Sequence, residues 1–157
     1  MKKLKVWLRN ARMVSLAQSL LPAILAVVMA INEQEFNIFL AVLAVLGVIS
    51  AHLGMNLADD FFDYKVNTAE SRKELNRQGF RARIVKYPYL TSNEASLSDL
   101  KRAIILFLLF AAVMGGIILI ARFNWQIVLI AFLTLLLGIS YSGFPFKFSY
   151  IGLGELV

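Results

Sequence analysis

The sequence predicts an all-α fold, a polytopic membrane bundle of about four transmembrane helices. Of its 157 residues, 59% are hydrophobic, and the mean hydropathy is +0.71. Soluble domains are only about 45–50% apolar. Four apolar runs approach the roughly 20 residues that cross the hydrocarbon core of a bilayer as a helix. The lipid bilayer is therefore an expected partner of the chain.

These runs define one membrane-embedded unit over residues 1–157, with no separate soluble domain. A basic loop over residues 59–102 joins the second span to the third. We expect the second helix to continue past the bilayer edge, because nothing in the sequence breaks it before Asn67. The expected spans lie near residues 13–31, 37–57, 103–121 and 125–142.

The third helix carries two local signals. Ser96 and Asp99 are one of two pairs spaced to cap its start, and the other is Thr91 and Glu94. Small residues four positions apart within the span predict a close approach of another helix. These pairs are Ala111 with Gly115 and Ala112 with Gly116.

Positive charge is concentrated on one side of the predicted membrane. Five Lys and Arg residues precede the first span and nine fill the 59–102 loop, whereas the first loop carries only Glu33 and Glu35. The positive-inside rule therefore predicts that both chain ends and the basic loop are cytoplasmic, in a bacterial-type inner or plasma membrane. The first apolar run is longer than a signal-peptide core, which favours an uncleaved span. We expect no nucleic-acid partner.

Acidic and amide side chains form one stripe at the end of the second span. At about 100° per helical residue they fall within a sector about 100° wide. Their carboxylates repel one another, and the C-terminal end of a helix disfavours anions, so a bound cation is expected. The chain has no Cys and the stripe no His, so every ligand is oxygen, which favours Mg²⁺ held with substrate phosphates. The stripe consists of Asn56, Asp59, Asp60, Asp63 and Asn67.

Two interpretations of this stripe differ in what neutralises it. The acids can simply solvate the helix end and pair with the basic residues Lys65, Arg72 and Lys73. A diphosphate site is favoured instead, because ionisable residues at membrane depth usually mark function. The basic loop supplies cations for the far phosphate oxygens, and the apolar helices supply a wall for a hydrocarbon tail. The expected ligand is a polyprenyl diphosphate.

The segment Asp59-Asp-Phe-Phe-Asp63 matches the D-D-x-x-D pattern of soluble prenyl synthases, while its surroundings resemble the intramembrane aromatic prenyltransferases of the UbiA superfamily. Asn56 and Asp60 match the longer N-x-x-N-D-x-x-D form of the menaquinone-pathway branch. Two positions depart from the family pattern. Asp59 stands where the family usually has Asn, and Asn67 replaces the last Asp.

A second segment strengthens the resemblance. Tyr141-Ser-Gly-Phe-Pro-Phe-Lys147 and Gly152-Leu-Gly-Glu155 look like the family's Y-[ST]-x-x-P-x-[KR] and G-L-G-E pieces after the fourth helix. They lean toward the 1,4-dihydroxy-2-naphthoate polyprenyltransferase branch, while haem, 4-hydroxybenzoate and lipid-ether branches stay open. Residues 83–92 only loosely echo the family's R-P-L-x-x-G segment.

The resemblance implies that this chain is the N-terminal half of a nine-helix fold, whose second Asp-rich motif follows the sixth helix. A missing C-terminal half or a partner chain is therefore expected, and the chain alone should turn over little or no substrate. The implied reaction transfers a polyprenyl group from an Mg²⁺-bound prenyl diphosphate to an aromatic acceptor, in quinone and specifically menaquinone biosynthesis.

The resemblance also implies residue roles. Asp60 and Asp63 are the expected catalytic residues. The expected Mg²⁺ ligands are Asp59, Asp60 and Asp63, supported by Asn56 and Asn67. The expected substrate-binding residues are Lys147, Arg72 and Arg81 for the diphosphate, and Tyr141, Ser142 and Arg12 for the acceptor. Simpler roles remain open for several positions: positive-inside charges at Arg72 and Arg81, an interface aromatic at Tyr141, and a satisfied interior histidine at His52.

Other protein classes fit the sequence less well. CDP-alcohol phosphotransferases also use membrane-boundary acids, but they need D-G-x-x-A-R, which the residues after Asp63 lack. A non-catalytic four-span binding protein or half of a cation transporter is the remaining alternative. Transporter acids usually lie near the bilayer midplane, whereas these lie at the predicted edge.

Overall fold

The computed structural model describes residues 7–65, 74, 77–79, 87–143 and 146–148, apart from the side chains of Thr91 and Ser142. Every regular element in these ranges is helical, which confirms the predicted all-helical class. The four main helices are α1 (Ala17–Ala30), α2 (Ile38–Lys65), α3 (Leu97–Ala121) and α4 (Trp125–Ser142). A 3₁₀ turn, Met13–Leu16, leads into α1, and a single helical turn, Pro88–Thr91, precedes α3.

Three helical stretches are long and apolar enough to cross a membrane: Met13–Ala30, Ile38–Lys65 and Leu97–Ala121. The stretch Trp125–Tyr141 is apolar but shorter. The prediction of a helical membrane bundle is thus confirmed, with three full-length candidate spans and a fourth, shorter apolar helix. The apolar side chains of all four helices are largely exposed, as lipid contact requires.

The helix ends differ from the predicted spans for a local reason. The α2 helix runs on to Lys65, as its unbroken sequence predicts. The α3 helix begins at Leu97, six residues before the predicted apolar span, because Ser96 and Asp99 form a complete capping box. The Asp99 backbone N–H donates to Ser96 Oγ (3.1 Å), and the Ser96 N–H donates to Asp99 Oδ2 (3.3 Å).

The α2 helix is the centre of the bundle. It contacts α1, α3 and α4, with its most extensive contact along α3. Gly54 permits this approach, since a Cβ atom there would lie 2.9 Å from Leu108 Cδ2 and 3.2 Å from Phe107 Cβ. By contrast, Gly115 and Gly116 have no atom of the described chain within 4 Å of such a Cβ. The predicted small-residue contact at these two glycines is therefore not used among the described residues.

The buried core lies at one end of the bundle, where the segment 87–90 packs between residues 7–11 and the helices α2 and α3. Tyr89 is buried and meets the Trp7 ring edge to face, with ring centroids 5.8 Å apart. Tyr87 is also buried and makes a similar contact with Tyr64. The core residues are Ala11, Leu53, Leu57, Tyr87, Tyr89, Leu90, Leu100 and Ala103. This core holds the C-terminal end of α2 in place.

Candidate functional site

The carboxylates at the C-terminal end of α2 are buried rather than solvated. Asp59, Asp60 and Asp63 are 9%, 0% and 2% exposed. Burying a carboxylate is costly unless it is paired and hydrogen-bonded. The partners of these three side chains therefore determine what the site can do.

Asp60 joins three parts of the chain. Its Oδ1 accepts a short hydrogen bond from Arg12 Nη2, and its Oδ2 accepts one from the Tyr89 hydroxyl (2.9 Å). Burial raises the pKa of the Tyr89 hydroxyl well above its usual value, and the neighbouring Asp60 carboxylate raises it further. Tyr89 therefore remains a hydroxyl donor. Each oxygen of Asp60 thus has a protein partner.

Arg12 bridges two of the carboxylates. Its Nη1 lies 3.5 Å from Asp59 Oδ2, while Nη2 contacts Asp60. The arginine adopts the left-handed backbone conformation (φ 57°), which costs a non-glycine residue about 1–2 kcal/mol. Side chains hold the backbone there: Ser15 Oγ donates to the Arg12 carbonyl (2.8 Å). Asn56 Nδ2 donates to the carbonyl of the preceding residue, Ala11 (2.9 Å).

A polar network continues from Asn56 along α1 and α2. Ser19 Oγ lies 2.8 Å from His52 Nδ1, and Ser15 Oγ lies 3.0 Å from Nε2. Asn56 Nδ2 also lies 3.1 Å from Nε2 and 3.2 Å from Ser15 Oγ. Ser15 Oγ gives its own proton to the Arg12 carbonyl, so it accepts from Nε2–H, and Nδ1 then accepts from the Ser19 hydroxyl. Both ring nitrogens of His52 thus have partners, as expected of a satisfied interior histidine.

This network fixes the direction of the Asn56 amide. Its nitrogen faces Ala11, Ser15 and His52, so its oxygen, the only atom of this group that can bind a cation, points away from that contact. Asp59 lies three residues further along the same helix, nearly on the same face. Two oxygen-bearing side chains are therefore presented together.

Asn56 and Asp59 line a cavity of about 760 Å³ between α1, α2 and α4. This volume is within the roughly 300–1,000 Å³ of small-molecule sites. The lining combines polar groups with apolar and aromatic ones. The polar lining residues are Arg12, Gln18, Ser19, His52, Asn56, Asp59 and Thr134, and the others include Met55, Phe62, Leu137 and Tyr141.

The structure brings together some of the residues predicted for the site. Asn56, Asp59, Arg12 and Tyr141 all line this cavity. Asp60 and Asp63 belong to the same buried helix end but do not line it. Lys147 is exposed, has φ 54°, and donates its N–H to the Gly143 carbonyl (3.1 Å). The predicted residues Asn67, Arg72 and Arg81 lie outside the described residues, as does the side chain of Ser142.

Only some of the residues predicted to bind Mg²⁺ are placed where they could do so. Within the described ranges, no three His, Cys, Asp or Glu side chains are grouped closely enough to hold a metal ion by themselves. Asp60 is engaged by Arg12 and Tyr89, and Asp59 also contacts Arg12. Asn56 and Asp59 line the cavity and carry the kind of oxygen atoms that a hard cation prefers. Such a cation usually takes one or two protein carboxylates and completes its shell with water and substrate phosphates.

Neither Tyr89 nor the Ser15–His52–Ser19 network was predicted from the sequence. Tyr89 lies within an apolar stretch, Tyr87-Pro-Tyr-Leu90, inside an otherwise basic and polar loop. This local composition was the available signal that part of the loop folds back into the bundle. Comparison with family models, with curated proteins and with solved structures gave no match for this chain.

Proposed function

We propose that this chain binds the head of a polyprenyl diphosphate with Mg²⁺ and serves an intramembrane prenyltransferase of the UbiA type. The observation that carries the proposal is the 760 Å³ cavity, where Arg12, Asn56 and Asp59 meet an apolar and aromatic wall. A ligand that fits such a cavity has a charged, oxygen-rich end and a greasy remainder. A prenyl diphosphate has both.

Each polar residue has a distinct role in this proposal. Asn56 and Asp59 would hold Mg²⁺, and Arg12, beside Asp59, would donate to a diphosphate oxygen. Mg²⁺, when bound, supplies charge neutralisation for the departing diphosphate. Asp60 keeps the Arg12 guanidinium in position through its own contact with Nη2. The reaction would need no nucleophilic side chain, because the allylic C–O bond breaks to release diphosphate, the acceptor ring forms the new C–C bond, and the substituted ring carbon then loses its proton to water.

The apolar and aromatic lining residues of the cavity suit the prenyl chain and the aromatic acceptor. Met55, Phe62 and Leu137 can contact a hydrocarbon chain, and Tyr141 offers an aromatic surface to a ring. The motif resemblance directs the proposal to an aromatic acceptor of menaquinone biosynthesis. The distribution of Lys and Arg directs it to a cytoplasmic position for the carboxylate end of α2.

Calorimetric titration tests the proposal on the purified chain in detergent, with geranylgeranyl diphosphate as the probe. We expect binding in the presence of Mg²⁺ and none in excess EDTA. Asp59→Ala removes the proposed carboxylate ligand altogether, so it should weaken Mg²⁺-dependent binding by about tenfold or more, or about 1.4 kcal/mol.

Asp99→Ala is the matched control, because Asp99 caps α3 and does not line the cavity. It should bind as the unmodified chain does. Binding that is equally strong in EDTA, or equal in Asp59→Ala and the unmodified chain, would contradict the proposal. Metal-dependent ion flux in liposomes without prenyl diphosphate binding would favour the half-transporter alternative.

A further inference from the structure

A second cavity lies at the end of the bundle opposite the carboxylates. It has a volume of about 470 Å³ and is formed by α1, the first half of α2, and the last turns of α3. Its walls are almost wholly apolar, and small side chains from both α1 and α2 line it. The alanines among the lining residues are Ala23, Ala26, Ala30, Ala41 and Ala44.

The polar residues of this cavity are confined to one end. They are Glu33, Glu35 and Asn37 from the loop between α1 and α2, together with Arg122 at the end of α3. Arg122 Nη1 lies 3.2 Å from Glu35 Oε2, and Nη2 contacts the Glu35 carbonyl. Both side chains of this ion pair are exposed, Arg122 at 43% and Glu35 at 84%. An exposed pair of this kind exchanges partners at little cost.

The depth of the cavity matches one leaflet of a bilayer. From Leu40 to Val48 its wall extends eight residues along α2, or about 12 Å at 1.5 Å per residue. Half of the hydrocarbon core is about 15 Å thick. A ligand that enters at the charged end can therefore lay one hydrocarbon chain along the alanine wall down to the level of the bilayer middle.

We propose that this cavity holds one zwitterionic phospholipid whose headgroup carries a phosphate and a primary amine. The phosphate accepts hydrogen bonds from the Arg122 guanidinium, and the amine faces Glu33 and Glu35. One acyl chain fills the groove between α1 and α2. Charge of both signs at the mouth selects this headgroup over a purely anionic one.

The lipid also explains how α1 is held. None of the residues of α1 is buried in the protein alone, although Ser19 of α1 and Ser15 of the preceding 3₁₀ turn must stay against His52 at the other end. An acyl chain in the groove supplies the missing packing between α1 and α2. This inference does not depend on prenyl transfer.

Native mass spectrometry of the full chain, released from detergent with equimolar dioleoyl phosphatidylethanolamine and phosphatidylglycerol, tests it. We expect one retained phosphatidylethanolamine per chain. Arg122→Gln should reduce its retention at least fivefold. Ala26→Leu and Ala44→Leu should do the same by filling the groove, and both positions are exposed enough to accept leucine without crowding the protein.

Matched controls separate the site from general lipid affinity. Arg102→Gln removes an exposed charge from the other end of α3, and Ala112→Leu enlarges an exposed alanine outside the cavity. Both should retain lipid as the unmodified chain does. Equal retention in Arg122→Gln and Arg102→Gln, preference for phosphatidylglycerol, or equal retention in all three alanine variants would overturn the proposal. Circular dichroism of each variant verifies that its helices are intact.

Discussion

Asp60 is the residue on which the carboxylate end of α2 depends. Its partners lie 48 positions before it and 29 positions after it in the chain. Breaking a buried ion pair by removing one partner typically costs about 3–5 kcal/mol, because a charge remains without compensation. Asp60 therefore contributes to the site by fixing Arg12 and Tyr89, in addition to any contact it makes with a ligand.

The Tyr89 hydroxyl gives the sharpest test of this arrangement. Tyr89→Phe keeps the ring contact with Trp7 but removes the hydrogen bond to the buried carboxylate. We expect the free energy of unfolding, measured by denaturant titration in mixed micelles, to fall by about 1.5–3 kcal/mol. Tyr64→Phe, at a more exposed ring, should change it by less than about 0.5 kcal/mol. Equal effects of the two substitutions would show that Asp60 does not need the Tyr89 donor.

Only part of the candidate site was predictable from the sequence. Asn56 and Asp59 share a helix, so the helical repeat alone places them side by side. Arg12 entered through a motif resemblance that gave it a different partner. Tyr89 reaches Asp60 because a loop segment folds back between two helices. The apolar composition of that segment was a signal that it is buried, but composition does not specify which side chain it meets.

At the scale of the helices, α2 and α3 form the main contact of the bundle, and a glycine determines how closely they approach. Of the small residues that the sequence marked by their spacing, Ala111 faces α2, since a Cβ atom at Gly47 would lie 3.9 Å from its carbonyl oxygen, but Gly115 and Gly116 meet no described atom. A closer approach is at Gly54, so the spacing rule identified only part of the contact between the two helices. The capping box at Ser96 was predictable because its hydrogen bonds form within four consecutive residues.

Alanine substitutions at two glycines measure this difference. Ala is favoured over Gly within a helix by about 1 kcal/mol at either position. At Gly115 the new methyl meets no described atom, so the variant should be at least as stable as the unmodified chain. At Gly54 it meets Leu108 and Phe107, and overpacking typically costs about 1–3 kcal/mol. Gly54→Ala should therefore unfold at a lower temperature than Gly115→Ala, and the reverse order would show that α2 and α3 are not closely packed there.

At the scale of the whole molecule, two properties of the sequence act together. The apolar composition predicted the helical membrane bundle, and the structure confirms it. A helix suits the bilayer because it makes all its backbone hydrogen bonds within one segment. The distribution of Lys and Arg predicts the direction of insertion, which a structure without a membrane does not test. Direction matters for the proposed function, since water-soluble Mg²⁺ and a prenyl diphosphate must reach the carboxylate end from the cytoplasm.

The absence of cysteine makes this direction measurable. Glu33→Cys introduces one exposed thiol in the loop between α1 and α2, and Arg102→Cys introduces one near the start of α3. In intact bacterial cells a membrane-impermeant maleimide should label Cys at 33 and leave Cys at 102 unlabelled, because basic loops stay inside. Opening the cells should expose the second thiol, so that labelling at 102 only after lysis also verifies that this thiol is reactive. Labelling at 102 in intact cells would place the Asp59 end outside the cytoplasm, away from the Mg²⁺ and prenyl diphosphate on which the proposed function depends.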